Sequence, residues 1–232
     1  MDLQRKVMPR LGTRKLYHQI RPSLALNSIK IGRDGLFELL RDLNMLIVPK
    51  KKYVQTTMSK HWLRKYPNII KNIIVSGPEQ VWVSDITYIR TDQGNCYLNM
   101  VTDVFSRKIM GYAIADNMEA ATMKKALEMA ICNRKFKGKL IHHSDRGLQY
   151  CSREYVSVAE LNGISISMTE NGDPYENALA ERMNRTIKEE FGLGKIIKSR
   201  EQAKLLVKQA IEIYNNQRPH LSLKMKTPEM VH

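Results

Sequence analysis

At 232 residues, with 43% apolar and 26% charged residues, the chain has room for one sizeable domain and a smaller one, and its composition excludes global disorder. A net charge of +15 indicates a polyanionic partner, and nucleic acid explains such a charge more often than a membrane does. Residues 1–77 contain 16 basic and 4 acidic side chains, whereas residues 78–232 contain 22 and 19. We therefore expect the front third to bind the polyanion.

The three cysteines and the N-terminal segment indicate the compartment. Cys96, Cys132 and Cys151 form no CxxC pair, which predicts neither a disulfide framework nor a cysteine zinc site. The start, MDLQRKVMPR, lacks the apolar core of a signal peptide, and no stretch approaches the roughly 18 apolar residues that span a bilayer. We expect a cytoplasmic protein associated with the nucleoid, with no membrane partner.

Residues 1–55 show two helical patterns. One runs from about Thr13 to Ile20, and the other places Leu36 and Leu40 on one face, with a break at residues 21–30 between them. Two short basic helices of this kind resemble a helix-turn-helix, although a plain helical hairpin would give the same pattern. The first prediction is therefore a small N-terminal all-α, DNA-binding domain.

Residues 56–77 are predicted to be a basic linker that follows a lysine run. Trp62 and Tyr66 alternate with basic residues here, which favours nucleic-acid contact, although a solvated charge run or a local packing cluster would look the same. The DNA contacts expected from the front third are Arg33, Lys50, Lys51, Lys52, Lys60, Arg64 and Lys65.

From residue 78 the pattern changes to that of an α/β fold. Five strands are predicted, at Val81–Ile89, Cys96–Phe105, Lys108–Ala115, Lys139–His143 and Ile164–Met168. Helices are predicted at Glu119–Arg134, Ser152–Asn162, from about Pro174 onward, and at Glu201–Asn216. The order βββαβα with a further helix is that of a ribonuclease H-like core, a mixed five-stranded sheet flanked by helices. We assign residues 78–193 to it and residues 194–232 to a C-terminal helix and tail.

Three carboxylates are candidates for catalysis. Asp85 lies within the first strand, where an unpartnered charge would be costly, Asp145 ends the fourth strand, and Glu181 lies on the helix that begins near Pro174. Each has an ordinary structural alternative: a hydrogen-bonded strand Asp, a helix-capping Asp and a solvated Glu. Three converging carboxylates would repel one another, so the arrangement makes sense chiefly around hard divalent cations. We expect two Mg²⁺ ions, for which Mn²⁺ could substitute, and phosphoryl-transfer chemistry.

The helix with Glu181 also offers polar residues for DNA. Asn184, Arg185 and Lys188 lie at i+3, i+4 and i+7 from Glu181 and form a strip suited to a phosphate backbone. Asn177, one turn before Glu181, is expected either to contact a phosphate or to help start the helix.

Asp85, Asp145 and Glu181, with 35 residues between the last two, match the catalytic signature of transposases and retroviral integrases. The segments WVSDITYI, TDVFSRKIMGYAI, HHSDRGLQYCS, ENGDPYENALAERMNRTIKEE and YNNQRPHLSLKMKTPE closely resemble the second-frame transposases of bacterial insertion sequences with an integrase-like core. The resemblance covers about residues 12–230.

The resemblance implies the catalytic roles of the three carboxylates, a first nick by water at the element end, and attack of the freed 3′-hydroxyl on another phosphodiester. It further implies terminal inverted repeats and target DNA as partners, a homo-oligomer on paired ends, and a first-frame protein or a fusion to it. The His-His-Cys-Cys zinc module of retroviral integrases is missing from the sequence.

Several other polar residues have both a structural and a functional interpretation, and we prefer one for each. His142 and His143 are expected to be hydrogen-bonded strand residues rather than groups at the scissile phosphate, and Asp103 is expected to hold a turn. Asn171–Glu176 is expected to be a mobile loop that grips DNA, against an ordinary connector. Arg218–His220 are expected to pack the tail onto the core.

Two other functions remain open from the residues alone. A DNA-binding regulator without catalysis would need only the front domain, and the three carboxylates speak against it. A metal nuclease of the same fold would share the chemistry and differ in substrate, and the front domain and the tail speak against it.

Overall fold

The computed structural model describes residues 2–47, 61–170 and 177–232. The predicted DNA contacts Lys50, Lys51, Lys52 and Lys60 and the predicted loop Asn171–Glu176 lie outside the described residues. The helices are α1 (Asp2–Val7), α2 (Thr13–Leu26), α3 (Arg33–Asp42), α4 (Ala120–Cys132), α5 (Arg153–Leu161), α6 (Ala178–Glu190), α7 (Arg200–Gln217) and α8 (Pro228–Val231). The strands are β1 (Val81–Thr91), β2 (Gly94–Asp103), β3 (Ile109–Ala115), β4 (Leu140–Ser144) and β5 (Ile164–Met168).

The five strands form one mixed sheet in the order β3-β2-β1-β4-β5. β1, β2 and β3 pair antiparallel, and β4 and β5 add parallel to the β1 side. The predicted strands and the fold class are confirmed. Thr91 and Gly94 flank a two-residue turn between β1 and β2, where the Gly94 φ of +104° is one that a side chain would disfavour.

Helices cover both faces of the sheet. Trp82 of β1 and Val101 of β2 belong to the core that α4 and α5 cover, while Ile89 and Met100 belong to the core under α6 and α7. Side chains of a strand alternate between faces, so the odd-numbered residues of β1 around Asp85 face α6. This alternation decides on which face of the sheet the Asp85 side chain lies.

Gly111 allows α4 to lie directly against β3. A Cβ at this position would overlap the Ala126 carbonyl oxygen and lie 2.5 Å from the Ala130 nitrogen, both of them backbone atoms of α4. Gly111→Ala is therefore expected to lower the free energy of unfolding by about 3 kcal/mol, measured by urea denaturation. Gly138→Ala is the matched control, because a Cβ there meets nothing within 4 Å. Equal stability of the two variants would contradict the close packing.

The N-terminal helices α2 and α3 are present, but α2 is longer than predicted. It continues through Pro22 to Leu26, so the predicted break at residues 21–30 was too long. The sequence pattern failed here because Pro22 and its polar neighbours give no apolar periodicity. Proline has no N–H to donate to the carbonyl of His18, four residues earlier. His18 and residues 21–23 are exposed, so this part of the helix faces solvent.

The N-terminal helices pack against the C-terminal end of α6 and against α7. Leu16 and Ile20 of α2 and Leu36 and Leu40 of α3 are buried together, and Phe191 packs against them from the end of α6. Lys15 of the same helix forms an ion pair with Glu190 at 3.0 Å. The front of the chain is thus docked on the core in this structure.

The described part of the linker lies on the core. His61 Nε2 is 2.8 Å from the carbonyl oxygen of Arg146, and the Ile69 N–H donates to Ser167 Oγ at 3.0 Å beside β5. Leu63 and Tyr66 pack against the core under α4 and α5, whereas Trp62 is 91% exposed. Among the helices of the described residues, none has the length and apolar character needed to cross a membrane.

Candidate active site

Asp85 and Asp145 come to the same point of the sheet through the parallel pairing of β1 with β4. The last pair of that ladder is Ser84 with Ser144, so each aspartate is the next residue along its chain. β4 ends there, and the chain turns at Gly147, whose N–H donates to Asp145 Oδ1 at 2.9 Å. The turn orients the second carboxylate.

Glu181 reaches this point because α6 lies along β1. Three side chains from α6 and its N-cap residue contact β1 in order: Asn177 Nδ2 donates to the Ser84 carbonyl at 3.0 Å, Asn184 Nδ2 to Asp85 Oδ2 at 2.8 Å, and Lys188 Nζ to Thr87 Oγ1 at 3.2 Å. Glu181 lies between the first two of these residues on the helix, and so beside Ser84 and Asp85.

The three carboxylates interact electrostatically. Burial first, then the neighbouring Asp145 and, least, Glu181 raise the pKa of Asp85, which hydrogen bonds from Asn184 and the Ile86 N–H lower; the net result is a pKa of about 7. The pKa of Glu181 is also raised, first by burial and then by Asp145, although the nearby Arg185 opposes the shift. The site therefore concentrates negative charge in a partly desolvated place.

The donor set suits a hard cation. Carboxylate oxygens are the ligands that Mg²⁺ prefers, and a bound cation would relieve the repulsion that raises the two pKa values. In the side-chain conformations shown, no three His, Cys, Asp or Glu residues of the described chain are close enough together to chelate an ion. The fold brings the carboxylates of Asp85, Asp145 and Glu181, which are suitable ligands for Mg²⁺, to the same end of the β1–β4 ladder.

Two residues predicted to contact DNA instead support the site from inside. Asn177 and Asn184 are buried, 5% and 6% exposed, and their amide groups donate to β1. The sequence predicted a polar strip of Asn184, Arg185 and Lys188 one turn or more after Glu181. Part of this strip faces β1 and not solvent, because α6 lies close to β1. Asn184 thus holds the Asp85 carboxylate.

The remaining described candidates for DNA contact are at or near the surface. Arg185 and Lys65 are exposed, and Arg64 stacks on the Tyr66 ring with its guanidinium carbon 5.0 Å from the ring centre. Lys188 is half-buried, and its ammonium lies 4.3 Å from the centre of the Tyr88 ring as well as near Thr87. Arg33 is exposed and pairs with Asp34 at 2.7 Å.

The two strand histidines and Asp103 are structural, as preferred from the sequence. His142 Nε2 lies 2.8 Å from Ser84 Oγ and 3.0 Å from the Tyr155 hydroxyl, and His143 Nδ1 lies 2.9 Å from Ser167 Oγ. Asp103 accepts hydrogen bonds from the N–H and the hydroxyl of Ser106 at 2.7 and 2.8 Å. These groups hold the sheet and the turn after β2.

Complete burial of His142 makes the stability of the fold sensitive to acid. Burial lowers its pKa from 6.5 to about 3, so between these values the unfolded chain binds a proton that the folded chain does not. The stabilisation is present above pH 6.5 and is lost as the pH falls toward 3. We expect His142→Gln to flatten the fall of Tm between pH 7 and pH 4, whereas the exposed His18→Gln should leave the slope of the wild type unchanged. Parallel slopes would contradict the assignment.

The sequence did not reveal the ion pair that anchors the tail. Arg218 donates to both Glu190 carboxylate oxygens at 2.7 Å, and Lys15 contacts the same carboxylate. The expected packing of the tail onto the core is confirmed, but the partner at the end of α6 was missed. The partner is identified only by the structure, which brings Lys15, Glu190 and Arg218 together from three distant segments of the chain.

Comparison with known proteins places these observations in a family. Two models of an integrase core domain match residues 75–174 and residues 162–228, the first containing both aspartates and the second containing Glu181. An uncharacterized 31 kDa protein of insertion element IS600 from Shigella sonnei is 38% identical over 91% of this chain and 77% of its own length. The transposase of IS629 from the same organism is 32% identical over 89% of this chain and 68% of its own. The chain belongs to the insertion-sequence transposases with an integrase core.

Solved structures agree with the fold of this transposase. The catalytic core domain of HTLV-2 integrase, solved in complex with magnesium, superposes with a TM-score of 0.54 at 18% identity, over 67% of this chain and 97% of that one. The simian T-cell lymphotropic virus intasome gives a TM-score of 0.56 at 17% identity, over 95% of this chain and 74% of that one. Identities this low support the shared ribonuclease H-like fold and nothing finer.

Proposed function

We propose that this transposase cleaves DNA at the ends of an insertion sequence and transfers the cut strand to target DNA, with Asp85, Asp145 and Glu181 as ligands of two Mg²⁺ ions. The observation that carries the proposal is the electrostatic coupling of these three carboxylates at one point of an integrase-type sheet. Carboxylates that repel one another destabilise the folded state, and a bound cation relieves this repulsion.

Divalent cations bound here would activate the attacking oxygen and stabilise the leaving oxygen of an in-line displacement at phosphorus. The transposase's own residues prepare the ligands. Asn184 donates to one oxygen of Asp85, and the Gly147 N–H donates to one oxygen of Asp145, so both carboxylates are restricted in orientation. Arg185, exposed beside Glu181, supplies positive charge for the phosphate.

The partners follow from the same proposal. The N-terminal helices, assigned to a domain of residues 1–55, would bind the terminal inverted repeats, and residues 78–193 would act on the bound end. Action on two paired ends requires more than one copy of the chain, and a first-frame protein or fusion would add repeat recognition. Such a protein works in the cytoplasm, at the nucleoid.

Removal of metal tests the proposed chemistry. We expect EDTA to abolish joining of a labelled terminal-repeat duplex to target DNA, and an excess of Mg²⁺ or Mn²⁺ to restore it, because carboxylates alone cannot stabilise the leaving oxygen. Joining is measured by the appearance of longer labelled strands on a denaturing gel. Heat-denatured protein with Mg²⁺ is the control. Joining that persists at full rate in EDTA would rule out the metal mechanism.

A further inference from the structure

A basic cleft of about 310 Å³ lies between α2, the start of α3 and the C-terminal tail, apart from the carboxylates. Its lining includes Arg14, His18 and Arg21 of α2, Arg33 of α3, and Leu221 and Met225 of the tail. Tyr17 also lines the cleft, and its hydroxyl donates to the Ile31 carbonyl at 3.3 Å, which ties the start of α3 to α2. Segments from opposite ends of the chain thus form one concave surface.

The side chains that line the cleft carry positive charge and no negative charge. None of the lining residues is acidic, and Arg14 and Arg21 form no ion pair with any described residue. Arg33 pairs only with Asp34, in an exposed contact of the kind that contributes little and is readily exchanged for another anion. Two guanidinium groups without an ion-pair partner, beside a third whose ion pair is exposed, favour a polyanion in this depression, and their planar donors match phosphate oxygens.

The spacing of the arginines matches a chain of phosphates better than a single one. Arg14, His18 and Arg21 lie four and three residues apart and form one exposed stripe, opposite the buried Leu16 and Ile20. Seven residues of helix span about 10.5 Å, which is longer than one phosphate group. The start of α3 adds N–H donors, since its N-cap Gly32 provides no side-chain cap.

The tail is held firmly enough to serve as the second wall. The His220 N–H donates to the Lys226 carbonyl at 3.0 Å, and the Met225 N–H donates to the His220 carbonyl at 2.8 Å. Lys224 and Met225 both adopt positive φ, at 52° and 66°, and Met225 lines the cleft while its chain neighbours Lys224 and Lys226 are exposed. The hydrogen-bonded turn thus holds Met225 at the cleft.

We propose that this cleft binds the sugar–phosphate backbone of duplex DNA and that the C-terminal tail is a structural part of this DNA site. The proposal rests on the proposed function in taking DNA as the partner, and it adds where the backbone lies and which distant segment completes the site. The N-terminal helices alone would then form only half of the contact.

A salt titration tests the site without catalysis. Binding of a labelled duplex of about 40 base pairs is measured in EDTA, in the Asp145→Asn background, at several salt concentrations. We expect Arg14→Ala/Arg21→Ala to reduce the slope of log K against log salt by about 1.8 and to weaken binding at least about tenfold near physiological salt. The control Lys125→Ala/Arg153→Ala removes the same charge from exposed positions of α4 and α5 and should keep the parent slope.

A substitution in the tail tests the composite nature of the site. Met225→Glu places a carboxylate beside the guanidinium groups and should weaken binding at least about tenfold, whereas the isosteric Met225→Gln should bind like the parent. Circular dichroism and Tm confirm that each variant is folded. Equal slopes for the arginine and control variants, equal affinities for the Glu and Gln variants, or an effect on duplex RNA in place of duplex DNA would each overturn the proposal. Failure of joining by the wild type, with these binding differences intact, would instead contradict only the proposed function.

Discussion

Asp145→Asn is expected to reduce strand joining by at least about a thousandfold while leaving DNA binding and the fold nearly unchanged. Asp145 follows the last β1–β4 pair and lies beside Asp85, so an amide there removes a ligand from the centre of the carboxylate group. The amide retains the size of the side chain and can still accept from the Gly147 N–H. The loss should therefore be chemical rather than structural.

A thermal shift with Mg²⁺ separates loss of the metal site from other causes. In the absence of metal, Asp145→Asn should be at least as stable as the wild type, because it removes repulsion of Asp85. Mg²⁺ should raise the Tm of the wild type, since a ligand that binds only the folded state stabilises it, and should leave the Tm of the variant unchanged. Asp92→Asn, in the exposed β1–β2 turn, changes the same charge and should behave like the wild type. Joining by Asp145→Asn at the rate of Asp92→Asn would refute the catalytic assignment.

Arg218→Ala is expected to lower the free energy of unfolding by about 3–5 kcal/mol. The side chains of Arg218 and Glu190 are 5% and 17% exposed and are joined by two hydrogen bonds of 2.7 Å. Burial alone would raise the pKa of Glu190, but Arg218 and Lys15 outweigh burial and lower it. Truncation leaves Glu190 partly buried with only Lys15 to compensate it, which is why the loss should be large.

The controls for this prediction are an exposed pair and a change of pH. Arg200→Ala breaks the exposed ion pair with Asp116 and should cost less than about 1 kcal/mol in urea denaturation. Because the folded pKa of Glu190 is lowered, the stabilisation exists above its unfolded pKa near 4.5 and is lost as the pH falls. The difference between the wild type and Arg218→Ala should therefore shrink on acidification. A constant difference would show that Arg218 acts by packing alone.

The sheet and the meeting of Asp85 with Asp145 at its centre were accessible from the sequence because their determinants are local. Alternating β-branched residues predicted β1, and a strand end followed by Gly147 predicted the turn that orients Asp145. The true length of α2 was not accessible, because Pro22 interrupts the helical pattern although its helix continues. A local pattern cannot show that the backbone around a proline faces solvent.

Contacts between segments that are distant in the chain could not be predicted from the sequence either. Asn184 was predicted to face DNA because helical spacing gives the direction of a side chain relative to its own helix, and not the neighbour that it meets. Lys15 and Glu190 are 175 residues apart, and nothing near either residue in the sequence indicates their pairing. Polar residues of this kind are identified only after the helices have been placed on the sheet.

Helix α6 carries Glu181 in its first turn and Glu190 as its last residue. Nine residues of α-helix span about 13.5 Å, with the proposed metal ligand Glu181 at one end and the contacts of Glu190 with Lys15 and Arg218 at the other. Loss of the contacts of Glu190 should therefore affect the chemistry, because an α6 helix that is loosened at Glu190 no longer holds Glu181 at a fixed height above the sheet. Turnover by Arg218→Ala should fall even at temperatures where the protein remains fully folded.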